Sequence, residues 1–134
     1  MKKLLLFTTA IILLSFSFSS CKKKDKEETA TEKIQHNWSL VSIVTNSHDG
    51  SGDDITNIPV SQDDYINFTS NGTVTSFVGG INDTSSYSII SDSQIIIDSE
   101  PFTIKTLTSS QLVLYSKDEI SATEYDETTI SLER

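Results

Sequence analysis

The sequence predicts an all-β domain: eight short antiparallel strands in sequential order, closed into an up-and-down barrel. Three observations carry this. After Asn37, apolar residues recur with period two, as in Ile66/Phe68, Ile95/Ile97, Phe102/Ile104, Leu112/Leu114 and Ile130/Leu132, while Asn67, Thr103, Lys105 and Thr129 supply the polar alternates. Clusters of Gly, Asn, Asp and Ser punctuate the pattern at short intervals. No segment in this region reads as a helix, and closure removes the adhesive edges of an open sheet.

The elements follow in chain order. Lys2 and Lys3 precede an apolar run from Leu4 to Leu14, and small residues Ser19-Ser20 stand before the only cysteine, Cys21. This is the layout of a secretory signal peptide over residues 1–20, too short and wrongly flanked for a stable transmembrane helix. The Phe18-Ser19-Ser20-Cys21 junction resembles the lipobox of bacterial lipoproteins, with Phe18 where leucine is usual. That resemblance implies cleavage before Cys21, a diacylglycerol on its thiol and a third acyl chain on its freed amine. The expected membrane contact is through those chains, each buried CH₂ adding about 0.8 kcal/mol. After residues 1–20 are removed, 114 of the 134 residues remain, enough for one domain. With Cys21 acylated there is no disulfide, and the core must hold by burial alone.

Residues 21–33 read as a lipid-anchored charged linker. Lys26-Glu27-Glu28 resembles the lysine-plus-acids signal that sends some lipoproteins of the Bacteroidota to the cell surface. Lys22, rather than Asp, follows the cysteine, unlike an inner-membrane retention signal. The expected location is the bacterial cell envelope, at the outer membrane, facing either the periplasm or the exterior. A short helical turn is expected around residues 32–36, with Thr31 as its cap.

The barrel domain is read over residues 34–134, with strands at 38–45, 64–68, 73–78, 85–91, 94–98, 102–107, 111–116 and 125–132. Asn71-Gly72 signals a hairpin, because both residues tolerate positive φ. Gly79-Gly80, Ser91-Asp92-Ser93, Ser99-Glu100-Pro101 and Thr108-Ser109-Ser110 supply the other turns. The long connection 46–63, rich in Asp, Gly and Ser, reads as a flexible loop or lid. From Ile34 onward there are 3 basic and 15 acidic residues, a net charge of −12. Such a body repels nucleic acid and anionic surfaces, so no nucleic-acid partner is expected, and it favours cationic ones or serves solubility.

Several of these segments together resemble the bacterial lipocalin-like domains. They are Ile34-x-x-x-Trp38-x-Leu40, Ile66-x-Phe68-x-x-Asn71-Gly72-Thr73-Val74, Tyr87-x-Ile89, Ile95-x-Ile97, Phe102-x-Ile104-x-x-Leu107, Leu112-Val113-Leu114 and Ile130-Ser131-Leu132-Glu133-Arg134. The resemblance covers residues 34–134. One departure is His36, where the family usually has glycine two residues before the tryptophan. The resemblance implies that Trp38 closes the barrel base under a basic residue from the last strand, Arg134, a structural pair. It also raises the prospect of a small apolar ligand in the lumen.

Catalytic chemistry finds little support. His36 lies beside the linker and His48 in the long connection, and no Gly-x-Ser-x-Gly turn, phosphate-cradling loop or zinc-type Cys/His cluster appears. The acidic pairs Asp53-Asp54, Asp63-Asp64 and Asp118-Glu119 sit at loops or strand ends. Asp49-Gly50-Ser51-Gly52-Asp53-Asp54 offers oxygens for calcium but lacks EF-hand spacing, and reads better as a polar loop. The expectation is a monomeric, non-enzymatic protein without metal or cofactor.

The lumen is lined by Ile66, Phe68, Val74, Tyr87, Ile95, Ile97, Phe102, Ile104, Leu112 and Leu114. At this barrel size, side chains either fill the interior or leave room for one small ligand. Two functions follow. One is a carrier of a small apolar molecule beneath the 46–63 connection. The other is an interaction module with a filled core, whose acidic exterior binds a cationic protein.

Overall fold

The computed structural model describes residues 27–134: one short helix and nine strands. Helix α1 (Ala30–Ile34) is capped by Thr29, not Thr31. The reason is reciprocal bonding: Thr29 Oγ1 accepts from the Glu32 amide at 3.2 Å, and Glu32 Oε2 accepts from the Thr29 amide at 2.8 Å. Thr31 has Ile34 three residues on and cannot close such a box, so the helix ends before His36.

The strands are β1 (Asn37–His48), β2 (Asp53–Ile58), β3 (Tyr65–Phe68), β4 (Thr73–Val78), β5 (Ile81–Ser91), β6 (Gln94–Ile97), β7 (Glu100–Leu107), β8 (Gln111–Glu119) and β9 (Tyr125–Glu133). Every pairing is antiparallel, β3 to β9 follow one another, and β1 pairs with both β3 and β9. This closes an eight-stranded barrel, as the alternation predicts. Irregularities in register at Leu40/Ser42, Ile89/Ser91 and Ile104/Thr106 bend the long strands round the closure.

The ninth strand corrects the expected lid. β1 runs on to His48, and β2 pairs along it from Ile43↔Ile58 to His48↔Asp53. The turn between them is set by Gly50 at φ 79° and by Asp49, whose Oδ1 accepts from the Ser51 hydroxyl and amide at 2.6 and 2.9 Å. Those bonds, the hydroxyl first, lower the Asp49 pKa. β2 is exposed throughout, so it adds no core and its polar composition reads as loop.

Two turns also differ. The β3–β4 connection spans residues 69–72, with positive φ at Gly72 alone; Asn71 instead accepts from Thr69 Oγ1 and the Thr73 amide. The β6–β7 turn lies at Asp98-Ser99, both at positive φ, and Pro101 stands within β7 opposite Ile96. Gly79-Gly80, both at positive φ between the pair Val78↔Ile81, form the expected two-residue hairpin.

The core fills the end of the barrel next to α1. Ile34, Trp38, Leu40, Phe68, Ile95, Leu112, Leu114 and Leu132 are buried there, with Val74, Tyr87 and Ile104 in the same cluster. Trp38 is fully buried, and its indole N–H donates to the Ile34 carbonyl at 2.9 Å, which ties helix to barrel. Tyr87 meets Phe68 edge to face at 5.1 Å and donates its hydroxyl to the Thr69 carbonyl at 2.7 Å. Among the described residues the apolar cluster and the barrel pairings lie within residues 34–133.

Candidate functional site

Above that packed end the lumen opens. The barrel wall is uneven, because β6 has four residues while β5 has eleven and β8 nine. The β6–β7 turn stops where the Asp98 amide donates to the Ser86 carbonyl at 2.9 Å. Beyond it β5 continues to Ile81 without a β6 partner, and β8 continues past Tyr115 without a β7 partner. The result is a notch in one side of the wall, faced by the tall sheet of β2, β1, β9 and β8.

Behind the notch lies a cavity of about 260 Å³. Its apolar floor is formed by Ile66, Val74, Ile97, Phe102, Leu114 and Ile130. Its rim is formed by Ser76, Asp83, Ser85, Asp98 and Glu100. Half of the lumen residues read from the sequence thus reach the cavity: Ile66, Val74, Ile97, Phe102 and Leu114. The other half, Phe68, Tyr87, Ile95, Ile104 and Leu112, belong to the core cluster and do not line it.

The rim is what sequence reasoning missed, although its signal is simple. Register pairs Val74 with Ser85 and Ser76 with Asp83, so these residues continue the inward face of β4 and β5 beyond Val74 and Tyr87. The same rule reaches the upper wall. Leu114 pairs with Ile130 and Ile43 with Ile130, all on the inward face; four residues further along β8 and β1 and back along β9, Asp118 pairs with Asp126, Ser47 with Asp126, and Ser47 with Asp54. A row of three aspartates therefore faces the lumen side.

The outer face of the same strands is organised differently. His48 Nδ1 lies 2.5 Å from Asp53 Oδ1, and its ring stacks on Tyr125 at 4.8 Å. Lys117 Nζ sits 4.0 Å from the Tyr125 ring centroid and 3.4 Å from Glu119 Oε1. Lys105 Nζ lies 4.4 Å from the Tyr115 ring centroid. The Tyr115 hydroxyl donates to Glu127 Oε1 at 2.5 Å, and that bond, with burial and the Glu127 charge, pushes its pKa up to about 12.

This arrangement separates the acidic side chains of the 49–54 segment. Asp49 is turned onto Ser51, Asp53 is tied to His48 on the outer face, and Asp54 points to the other side of the strand. Among the described residues no group of three or more His, Cys, Asp or Glu side chains is placed to hold a metal ion.

At the opposite, sealed end, the Arg134 guanidinium carbon lies 5.1 Å from the Trp38 ring centroid. Arg134 Nε donates to the Ser109 carbonyl, and its amide donates to the Ser110 carbonyl at 3.2 Å. Asp64, which the sequence offers only as half of an acidic pair at a strand end, is buried at 1% exposure. Its carboxylate accepts from the Ser61 amide at 2.9 Å, the Ser61 hydroxyl at 2.8 Å and the Gly79 amide at 3.1 Å. Those bonds, led by the Ser61 amide, hold its pKa below the ordinary carboxylate value and pin the 61–64 connection to the β4–β5 hairpin. Cys21 and the signal segment lie outside the described residues.

No family model matches the chain, and no curated protein shows significant similarity to it.

Proposed function

We propose that the protein is a lipid-anchored, lipocalin-like binding protein of the bacterial cell envelope that holds one small, largely apolar molecule in the barrel mouth. The cavity carries this reading. Its volume lies near the lower end of ligand sites, which begin at roughly 300 Å³, and it combines a continuous apolar floor with a few polar groups at the rim. The packed end gives the floor rigidity, while the notch gives a way in that needs no strand to separate. Support for the anchor comes from the lipobox-like junction at Cys21, and support for family from the segments between Ile34 and Arg134. Binding rather than catalysis is the reading that the floor favours, since its side chains are apolar. The alternative of a filled core describes only the half of the barrel next to α1.

The test is native mass spectrometry of the soluble chain from residue 27 onward, followed by titration with an apolar fluorescent probe. A retained small molecule, or probe uptake, that disappears on Phe102→Trp supports a luminal ligand. A bare protein that takes up no probe refutes it.

A further inference from the structure

We infer that the molecule this cavity selects carries a positive charge: a small amine or quaternary ammonium on an apolar body. The inference rests on the cavity being a ligand site, and concerns what that site prefers.

Three carboxylates, Asp83, Asp98 and Glu100, line the rim, and among the described residues no Lys, Arg or His lines the cavity. Asp83 accepts from the neighbouring Thr84 amide at 2.9 Å, a bond that leaves its charge unbalanced. Among the described residues no cation pairs with any of the three: the ion pairs are His48–Asp53 and Lys117–Glu119, both on the outer face. Lys105 lies over Tyr115, also outside, and Arg134 sits over Trp38 at the sealed end.

The carboxylates at the mouth stand apart from the cations of the neighbouring strands. The register sends Asp83, Asp118 and Asp126 to the lumen side and Lys117 outward, and Lys105 lies over the outward ring of Tyr115. Asp118 and Asp126 stand directly opposite each other, a like-charge pairing that costs stability in a sheet. The apolar floor beneath lowers the local dielectric and concentrates the negative potential in the mouth. A cationic head there relieves that repulsion while its apolar part covers the floor. A fatty carboxylate of the same shape meets the repulsion instead.

The experiment compares three soluble probes with one apolar body: naphthylmethylamine, naphthylmethanol and naphthylacetate, titrated calorimetrically into the chain from residue 27 onward. At low salt the amine should bind on the order of tenfold more tightly than the alcohol, and the carboxylate most weakly. At about 0.3 M salt the ratio of amine to alcohol should fall towards one. Asp98→Asn with Glu100→Gln, both at exposed positions, should bring the ratio of amine to alcohol affinity towards one. Equal affinities for amine and alcohol overturn the charge preference and leave apolar binding standing. Amine binding that persists when Phe102→Trp or Ser85→Trp plugs the cavity shows adsorption to the acidic surface and overturns it too. If no probe binds, the ligand-site reading fails, and this inference with it.

Discussion

Replacing Arg134 by alanine tests how the sealed end of the barrel is held. The side chain makes two contacts: its guanidinium lies 5.1 Å from the centre of the Trp38 ring, and Nε donates to the Ser109 carbonyl. An exposed cation over an aromatic face contributes about 0.5–1 kcal/mol. A hydrogen bond from a charged donor adds about 1 kcal/mol, less where water competes. Arg134 is exposed, so the sum is taken at its lower end, about 1–1.5 kcal/mol. For a domain near 100 residues each kcal/mol moves the thermal midpoint by about 4–8 °C, and the expected drop is therefore roughly 5–10 °C. Thermal unfolding followed by circular dichroism reads it directly. Arg134→Lys should recover only part of the loss, because an ammonium lacks the planar group that lies over the indole. A midpoint for Arg134→Ala equal to that of the parent refutes the pairing. Equal stability of the lysine and arginine forms refutes the planar contact while leaving the charge.

Two titrations and the ligand experiments complete the set. Asp64 has a folded pKa below its ordinary value of 3.8, so its contribution is present above that pH and lost as pH falls through the folded value; Asp64→Asn should lower the unfolding midpoint at neutral pH and flatten the acid limb, in a pH series of denaturant melts. Tyr115 has a folded pKa raised from 10.0 to about 12, so the stability from its bond to Glu127 is whole below pH 10 and lost as pH rises through 12. The ultraviolet difference titration between the parent and Tyr115→Phe should isolate one phenol with its midpoint near 12; a midpoint near 10 refutes the bond. Phe102→Trp should abolish probe uptake in the lumen, and Asp98→Asn with Glu100→Gln should abolish the amine preference.

The lower barrel was legible because period two and burial coincide there. Phe68, Ile95 and Leu112 follow from alternation alone, and all lie in the core. The rim was not, because the same alternation continues through Ser76, Asp83 and Ser85 with polar residues, which ordinarily signal the solvent face. Only the register, with Ser76 opposite Asp83 above the pair Val74 and Ser85, shows that they face inward. β2 was hidden for a related reason: an exposed strand has no apolar face to betray it, and Gly50 and Gly52 on its approach look like loop. Asp64 illustrates long-range dependence, since the Gly79 amide that helps satisfy it lies fifteen residues away. Composition at Asp63-Asp64 carries no trace of that partner. The position of Arg134 followed from the family resemblance, and nothing in the local residues alone would have placed it over Trp38.

The pairing of β1 with β9 has a kinetic side. The first and last strands of the barrel meet along their length, Leu40 with Leu132 and His48 with Tyr125, so closure joins segments separated by nearly the whole domain. Each of the other wall pairings is a local hairpin, or, for β1 with β3, spans about thirty residues. The meander can therefore assemble as an open ribbon well before its ends are joined, and the loop-closure entropy falls almost entirely on one late step. Until that step the edges of β1 and β9 carry unpaired backbone groups, exposed to pairing with another chain. This topology predicts folding that is slow for the domain's size and most exposed to aggregation just before closure, with the C-terminal strand acting as the latch.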